Sequence, residues 1–280
     1  MMQQKPYVRI PADDRATTLS IGTVSAMASS RLDQLSSDQA LLIAARIKAD
    51  RFEDADTILV AGSVATGRAS PTSDLDLLVI YDRIDNARRQ SFQYDGLMVD
   101  AFCHDLETIN YFCWEIDRPS GVPTLPLMLE QGLELPPCSP LTAVARATGE
   151  MVLAAGPLHL SEQEISQRRA RIASLIDDLA SARSDAERLA SGVLLYGLLA
   201  DSELRMANVW SGNGKGLYIA FERHDEALAR KHHQSFDALF SGGDHKPVIE
   251  MAGAFLERTG GRIVRRSEVA PQEWRKPLDI

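Results

Sequence analysis

Strand-like apolar runs are concentrated in one stretch of this chain, and helical spacing dominates the remainder. Residues 57–63 and 74–82 are rich in β-branched and other apolar residues, as strands are. Two further predicted strands, RQSFQY and LMVDAFC, flank an Asp95-Gly96 dipeptide. Asp-Gly between two such runs predicts a β-hairpin, because both central residues of a type I′ turn need positive φ. From about residue 140 onward, the apolar residues recur at helical intervals. The pattern predicts an α+β chain, in which a small mixed sheet is followed by an α-helical bundle.

The change of pattern also predicts how the chain is divided. A first helix is expected from about Ser37 to Arg51, with Ser37 or Asp38 as its N-cap, and another over residues 105–117. The expected segments are an N-terminal extension over 1–30, an α/β domain over 31–118, a linker over 119–139 and a helical acceptor-binding domain over 140–280.

Composition narrows the classes of partner. The formal net charge of −9 over 280 residues argues against a protein that coats nucleic acid, because phosphate contacts need clustered Lys and Arg. No apolar run approaches the length of about 18 residues that a membrane helix needs, and the N-terminus lacks the apolar core of a signal peptide. We therefore expect a cytoplasmic protein with no membrane partner and no extended nucleic-acid partner. Its three cysteines have no metal-ligand spacing and are expected as buried or free thiols.

Two acids in the second run point to metal chemistry. Gly62-Ser63 ends the first run, and a ten-residue spacer separates it from Asp74 and Asp76. Side chains alternate along a strand, so these two carboxylates point the same way while the intervening leucines enter the core. Magnesium prefers hard oxygen ligands and commonly combines one or two carboxylates with substrate phosphates. A DxD alone is often just an exposed acidic pair, but the Gly-Ser strand end upstream favours a metal site.

The residues before this pair suit a phosphate. Glycine at the end of a strand lets the backbone approach an anion, and the N–H groups of such a turn can cradle it. Gly62 is the candidate for that approach, and the Ser63 hydroxyl would add a donor. Gly67 and Ser73 are expected to shape the loop, and Ser73 is also a candidate nucleotide-binding residue.

A third acid lies on the far side of the predicted hairpin. Asp100 belongs to LMVDAFC and has apolar residues on both sides, a costly position for a carboxylate without a partner. If this strand pairs beside residues 74–82, Asp100 converges on the other acids, where it would bind metal and accept a proton from the acceptor hydroxyl. The alternative is that Asp100 faces solvent at an edge of the sheet.

At this point the sequence resembles a known superfamily. The segment GSVATGRASPTSDLDLLV is similar to the signature of the DNA polymerase β-like nucleotidyltransferases, and the resemblance covers about residues 57–103. It implies a magnesium-dependent transfer of a nucleoside monophosphate with two metal ions. The roles it implies are metal ligands at Asp74 and Asp76, the third acid at Asp100, and phosphate contacts at Gly62 and Ser63.

The layout of a small α/β domain before a helical bundle is similar to that of the bacterial aminoglycoside adenylyltransferases. This resemblance implies ATP as the nucleoside triphosphate, release of pyrophosphate, and AMP transfer to a hydroxyl of a small-molecule acceptor such as an aminoglycoside. Two alternatives stay open. One is AMPylation of a protein partner, and the other is a non-catalytic nucleotide-sensing or antitoxin-like module.

Weaker signals lie in the second half. SGNGKGLYIAF places Lys215 directly before a helix-like run, and the resemblance to adenylyltransferases implies that such a lysine contacts the triphosphate. A solvated lysine in a loop between helices is the alternative. His232, His233 and His245 lie on polar stretches without ligand spacing and are expected at the surface.

Overall fold

A computed structural model describes Asp33 and residues 35–263 of the chain. The expected extension over residues 1–30 lies outside these residues. The chain divides into two compact units, with the boundary after Leu158.

The first unit contains a five-stranded mixed sheet and its flanking helices. Its strands are β1 Thr57–Val60, β2 Leu75–Ile80, β3 Arg88–Tyr94, β4 Leu97–His104 and β5 Leu133–Glu134, and its helices are α1 Ser37–Arg51, α2 Gly62–Ala65, α3 Leu106–Tyr111, α4 Arg118–Ser120, α5 Thr124–Gln131 and α6 Pro140–Ala155. The spatial order of the strands is β3-β4-β2-β1-β5. β2 and β4 are parallel, and the other neighbouring pairs are antiparallel.

The predicted hairpin is confirmed. β3 and β4 pair antiparallel with Tyr94 opposite Leu97, and the two turn residues, Asp95 and Gly96, have φ values of 47° and 78°. Positive φ at both positions is the signature of a type I′ turn. The local turn chemistry therefore fixes the register of the two strands, and with it the position of Asp100 on β4.

The alternation on β2 is also as predicted. Leu75 and Leu77 are fully buried in the core that α1 covers, while Asp76 lies between them on the opposite face. Helix α1 begins at Ser37, as predicted, but its N-cap is the residue before the two predicted candidates. Ser36 takes that role, because its hydroxyl accepts from the N–H of Gln39 and the Gln39 side chain accepts in return from Ser36.

The segment after β4 is less regular than one helix. Asp105 caps α3 through the N–H of Thr108, and a π-helical stretch, Phe112–Asp117, comes next. Residues 119–139, where a linker is predicted, carry helix α5 and the short strand β5, which pairs with β1. The structure thus places these residues in the first unit.

The second unit consists of helices in its described part. They are α7 Glu162–Ala180, α8 Asp185–Met206, α9 Lys215–His224, α10 Glu226–Gly242 and α11 Lys246–Arg258. Apolar side chains of α7, α8, α10 and α11 form its main core. The predicted fold class is confirmed, since a mixed sheet in the first part of the chain is followed by helices.

The expectation of a surface position for His232 is wrong. This residue of α10 is only 1% exposed, with its ring against Tyr196, Phe221 and Phe236. An imidazole has an apolar ring body that aromatic neighbours can cover. The polar residues next to His232 in the sequence give no indication of this burial.

Among the helices of the described residues, none combines the length and the apolar character needed to cross a membrane.

Candidate active site

Strand pairing brings two of the three candidate acids together. Asp76 on β2 and Asp100 on β4 are register partners in the parallel pair, so their side chains leave the same face of the sheet. Asp76 is half-buried, and Asp100 is only 6% exposed. The edge position considered for Asp100 is therefore wrong, because β3 covers β4 on its outer side.

Gly62 lies directly against Asp76. The N–H of Ala61 donates to the carbonyl of Asp76 at 2.8 Å, which extends the β1–β2 pairing to the residue before Gly62. A Cβ placed on Gly62 would lie 2.0 Å from Oδ2 and 2.8 Å from Cγ of Asp76. Gly62 also has a φ of 64°, which other residues rarely adopt. Both the backbone angle and the space beside the carboxylate therefore require glycine here.

The loop between the two strands is held by its own hydrogen bonds. The carbonyl of Ser63 accepts from the N–H of Arg68 at 2.8 Å, and Ser63 itself is half-buried. The hydroxyl of Ser73 accepts from the N–H of Ser70 at 2.8 Å. Ser73 thus shapes the loop, as one part of its prediction states, and its contact with a nucleotide remains a prediction.

Asp74 occupies a different environment from its neighbour. It precedes the first residue of β2 and is exposed. The two acids of the DxD pair therefore differ in position. Asp74 lies at the end of the loop, just before β2, whereas Asp76 lies within β2 and against Gly62.

Two residues that the sequence interpretation missed bind Asp100. Arg89 Nε lies 2.9 Å from Oδ1 and 3.0 Å from Oδ2 of Asp100, and Arg89 Nη2 also donates to Oδ2. The hydroxyl of Ser91 donates to Oδ1 at 3.1 Å. Both residues belong to β3 and are placed by the hairpin register, in which Ser91 faces Asp100 and Arg89 faces Phe102. Counting back from the predicted Asp-Gly turn would have found Ser91.

The donor set fits a divalent cation in its chemistry. Carboxylate oxygens are the ligands that magnesium prefers, and the space at Gly62 leaves one face of the Asp76 carboxylate next to bare backbone. In the part of the chain that the structure describes, no three His, Cys, Asp or Glu side chains stand close enough together to hold a metal ion. Here the carboxylate of Asp100 is bound by Arg89 and Ser91 instead.

Lys215 belongs to the second unit. It is the first residue of α9 and is exposed, and Gly214 precedes it with a φ of 52°. The helix predicted from its sequence is confirmed, and the predicted contact with a triphosphate stays a prediction.

Part of the first unit is similar to a known protein family. Residues 45–116 match the family model of the nucleotidyltransferase domain, a range that includes Gly62, Asp76 and Asp100. The match supports nucleotidyl transfer as the general activity. A search of curated proteins finds no match.

One solved structure is similar over much of this chain. It is a nucleotidyltransferase-like protein from Exiguobacterium sibiricum 255-15, determined at 1.90 Å resolution, with 11% identity and a TM-score of 0.40. The similarity covers 78% of this chain and 73% of that one.

Proposed function

We propose that this chain transfers a nucleoside monophosphate, AMP from ATP, to a hydroxyl of an acceptor molecule and releases pyrophosphate. The observation that carries the proposal is the placement of Asp76 against Gly62 and in register with Asp100. A carboxylate packed against a glycine backbone, with a second carboxylate in register on the neighbouring strand, suits a metal-bound triphosphate better than it suits a structural role. The nucleotidyltransferase domain match over residues 45–116 supports the same chemistry.

Each residue has a distinct part in the proposed reaction. Asp74, Asp76 and Asp100 would hold magnesium, which when bound neutralises the triphosphate and the charge that develops on the leaving group. Gly62 lets the triphosphate approach the backbone, and the Ser63 hydroxyl donates to a phosphate oxygen. Asp100 also orients the acceptor hydroxyl and accepts its proton.

Two classes of acceptor hydroxyl suit the proposed reaction. The resemblance in layout to aminoglycoside adenylyltransferases makes aminoglycosides the first acceptors to test. A serine, threonine or tyrosine hydroxyl of a partner protein is the second class. Release of pyrophosphate from Mg-ATP, measured with each acceptor class in turn, identifies which of them the enzyme uses.

Asp76→Asn tests the role of the metal-site carboxylate. The variant keeps the shape of the side chain beside Gly62 but removes its charge. A direct metal ligand contributes several kcal/mol, so the rate of pyrophosphate release should fall about 100-fold or more. Asp82→Asn is the matched control, because Asp82 is exposed just beyond the other end of β2, and its rate should stay within about twofold of the wild type. A loss of less than about tenfold in Asp76→Asn would contradict the assignment.

A binding module without catalysis is the rival, and one observation favours it. Asp100 is held by Arg89 and Ser91, an arrangement that also suits a protein that only binds nucleotides. Calorimetry separates the two functions. Magnesium-dependent ATP binding with no pyrophosphate release on any acceptor would support the rival.

A further inference from the structure

Arg89 binds Asp100 through the geometry that is strongest for this pair. Its guanidinium contacts both carboxylate oxygens, and such forked contacts fix the orientation of a carboxylate as well as binding it. The Ser91 hydroxyl adds a third donor from the same strand. Asp100 contributes a side chain that is only 9% exposed, whereas that of Arg89 is 50% exposed.

The Arg89 side chain is placed to hold the acid and is able to leave it. Its guanidinium lies over the ring of Phe102, 4.8 Å from the centroid, which orients it along the face that carries Asp100. Because half of this side chain is exposed, the guanidinium can turn toward water without the cost of moving a charge through the core. Asp100, fixed in β4, has no such freedom.

A divalent cation and Arg89 would compete for the same oxygens. A carboxylate has about four lone-pair positions, and Arg89 and Ser91 occupy most of those that Asp100 offers. Arginine and a metal ion are both positive, so placing them on one carboxylate at contact distance costs Coulomb energy. We propose that Arg89 is a positioning residue that holds Asp100 in the absence of metal and yields it when a divalent cation binds. This inference rests on the proposed function, which makes Asp100 a metal ligand.

Binding of Mn²⁺ alone, without nucleotide, tests the competition directly. Titrations of the full-length protein, followed by the electron paramagnetic resonance signal of free Mn²⁺, give a Kd for each variant. Arg89→Gln removes the forked contact and should bind Mn²⁺ about fivefold more tightly or better. Arg89→Lys keeps the charge but not the fork, and it should also bind more tightly than the wild type.

Arg88→Gln is the matched control. Arg88 is the neighbour of Arg89 on β3, and it turns to the other face, where its Nη2 donates to the hydroxyl of Tyr81 at 3.1 Å. This variant loses the same charge but leaves Asp100 bound, so its Kd should stay within about twofold of the wild type. If Arg89→Gln binds Mn²⁺ no more tightly than Arg88→Gln, charge alone explains the effect and the proposal is overturned.

Asp76→Asn separates this proposal from the proposed function. If Asp76→Asn weakens Mn²⁺ binding and Arg89→Gln has no effect beyond its control, only the role of Arg89 is wrong. If Asp76→Asn leaves the Kd unchanged, the metal site itself is absent and both proposals fall. Circular dichroism melts establish that each variant is folded. Arg89→Lys retains the aliphatic stem against Phe102, so it still provides the test if Arg89→Gln does not fold.

Discussion

Gly62 affects both the backbone conformation after β1 and the position of a candidate metal-binding carboxylate. Its positive φ lies where the chain passes from β1 into the short helix α2, and its missing side chain leaves room for the carboxylate of Asp76. The same loop contains Gly67, whose φ of 65° is almost identical but which has nothing within 4 Å of where a Cβ would stand. Substitution of each glycine by alanine therefore distinguishes the free-energy cost of a positive φ, which both positions share, from the cost of the contact with Asp76, which only position 62 has.

Gly62→Ala and Gly67→Ala should differ in both stability and metal binding. Alanine at positive φ costs about 1 kcal/mol in either position. Gly62→Ala must also displace the Asp76 carboxylate, so we expect a further loss of about 1–3 kcal/mol and Mn²⁺ binding weaker by about tenfold. Urea denaturation and Mn²⁺ titration measure the two effects. Equal losses in the two variants would show that the contact with Asp76 has no energetic weight.

At the scale of elements, His232 joins three helices of the second unit. It lies on α10 and is packed against Tyr196 of α8 and Phe221 of α9. Its Nε2 bonds the carbonyl of Tyr196 at 3.0 Å, so Nε2 carries the hydrogen. Its Nδ1 is buried and makes no hydrogen bond to any described residue. A proton added at Nδ1 would have no acceptor, and burial lowers the pKa of His232 to about 4.

This lowered pKa predicts how stability changes with pH. The unfolded chain binds a proton at His232 near pH 6.5, whereas the folded protein binds it only near pH 4. Burial of the neutral imidazole therefore contributes fully to the free energy of unfolding above about pH 6.5, and this contribution is lost as the pH falls toward 4. Between about pH 7.5 and pH 4.5, the wild type should lose about 2 kcal/mol more of its free energy of unfolding than His232→Gln does. Urea denaturation of the full-length protein at the two pH values measures the difference.

His233→Gln is the control for this titration. His233 is the exposed neighbour of His232 on α10. Its charge is the smallest of the three causes that act on the pKa of His232, so its variant should keep most of the pH dependence of the wild type. Buried His104, whose pKa burial also lowers to about 4, is present in every variant and cancels in the comparison. Identical pH dependence in His232→Gln and the wild type would refute the role given to His232.

The elements that the sequence predicts best are those with local signals. The Asp95-Gly96 turn determines the β3–β4 hairpin, and the alternation around Asp76 determines which face of β2 enters the core. Strand β5 has only two residues and exists through its pairing with β1, which no local pattern reports. His232 escaped prediction for the same reason, because two of its aromatic neighbours, Tyr196 and Phe221, come from other helices.

The residues of the candidate site also differ in whether a local sequence signal predicts them. Gly62, Asp76 and Asp100 can be predicted from strand ends, alternation and a hairpin, all of which are visible in the sequence. The hairpin register places Ser91 opposite Asp100, whereas Arg89 lies opposite Phe102 and reaches Asp100 through a diagonal side-chain contact that no sequence pattern reports. No motif in the sequence marks side chains that would recognise an acceptor, because such side chains come together only in the folded chain.

At the scale of the whole molecule, the two units have separate cores. The core against the sheet contains residues of the first unit alone, and the main helical core contains residues of the second. The nucleotidyltransferase match over residues 45–116 lies within the first unit. Chains with more than one core often unfold in more than one step. We therefore expect a core substitution to act mainly within its own unit.

Leu77→Ala and Leu199→Ala test this expectation as a matched pair. Leu77 is fully buried in β2 and Leu199 is 1% exposed in α8, so each substitution should cost its own core about 2–5 kcal/mol. Hydrogen exchange followed by mass spectrometry should show faster exchange in β1, β2 and β4 for Leu77→Ala, and in α7, α8 and α10 for Leu199→Ala. Mn²⁺ binding should weaken in the first variant and persist in the second. Faster exchange across both units in either variant would mean that the two cores unfold as one.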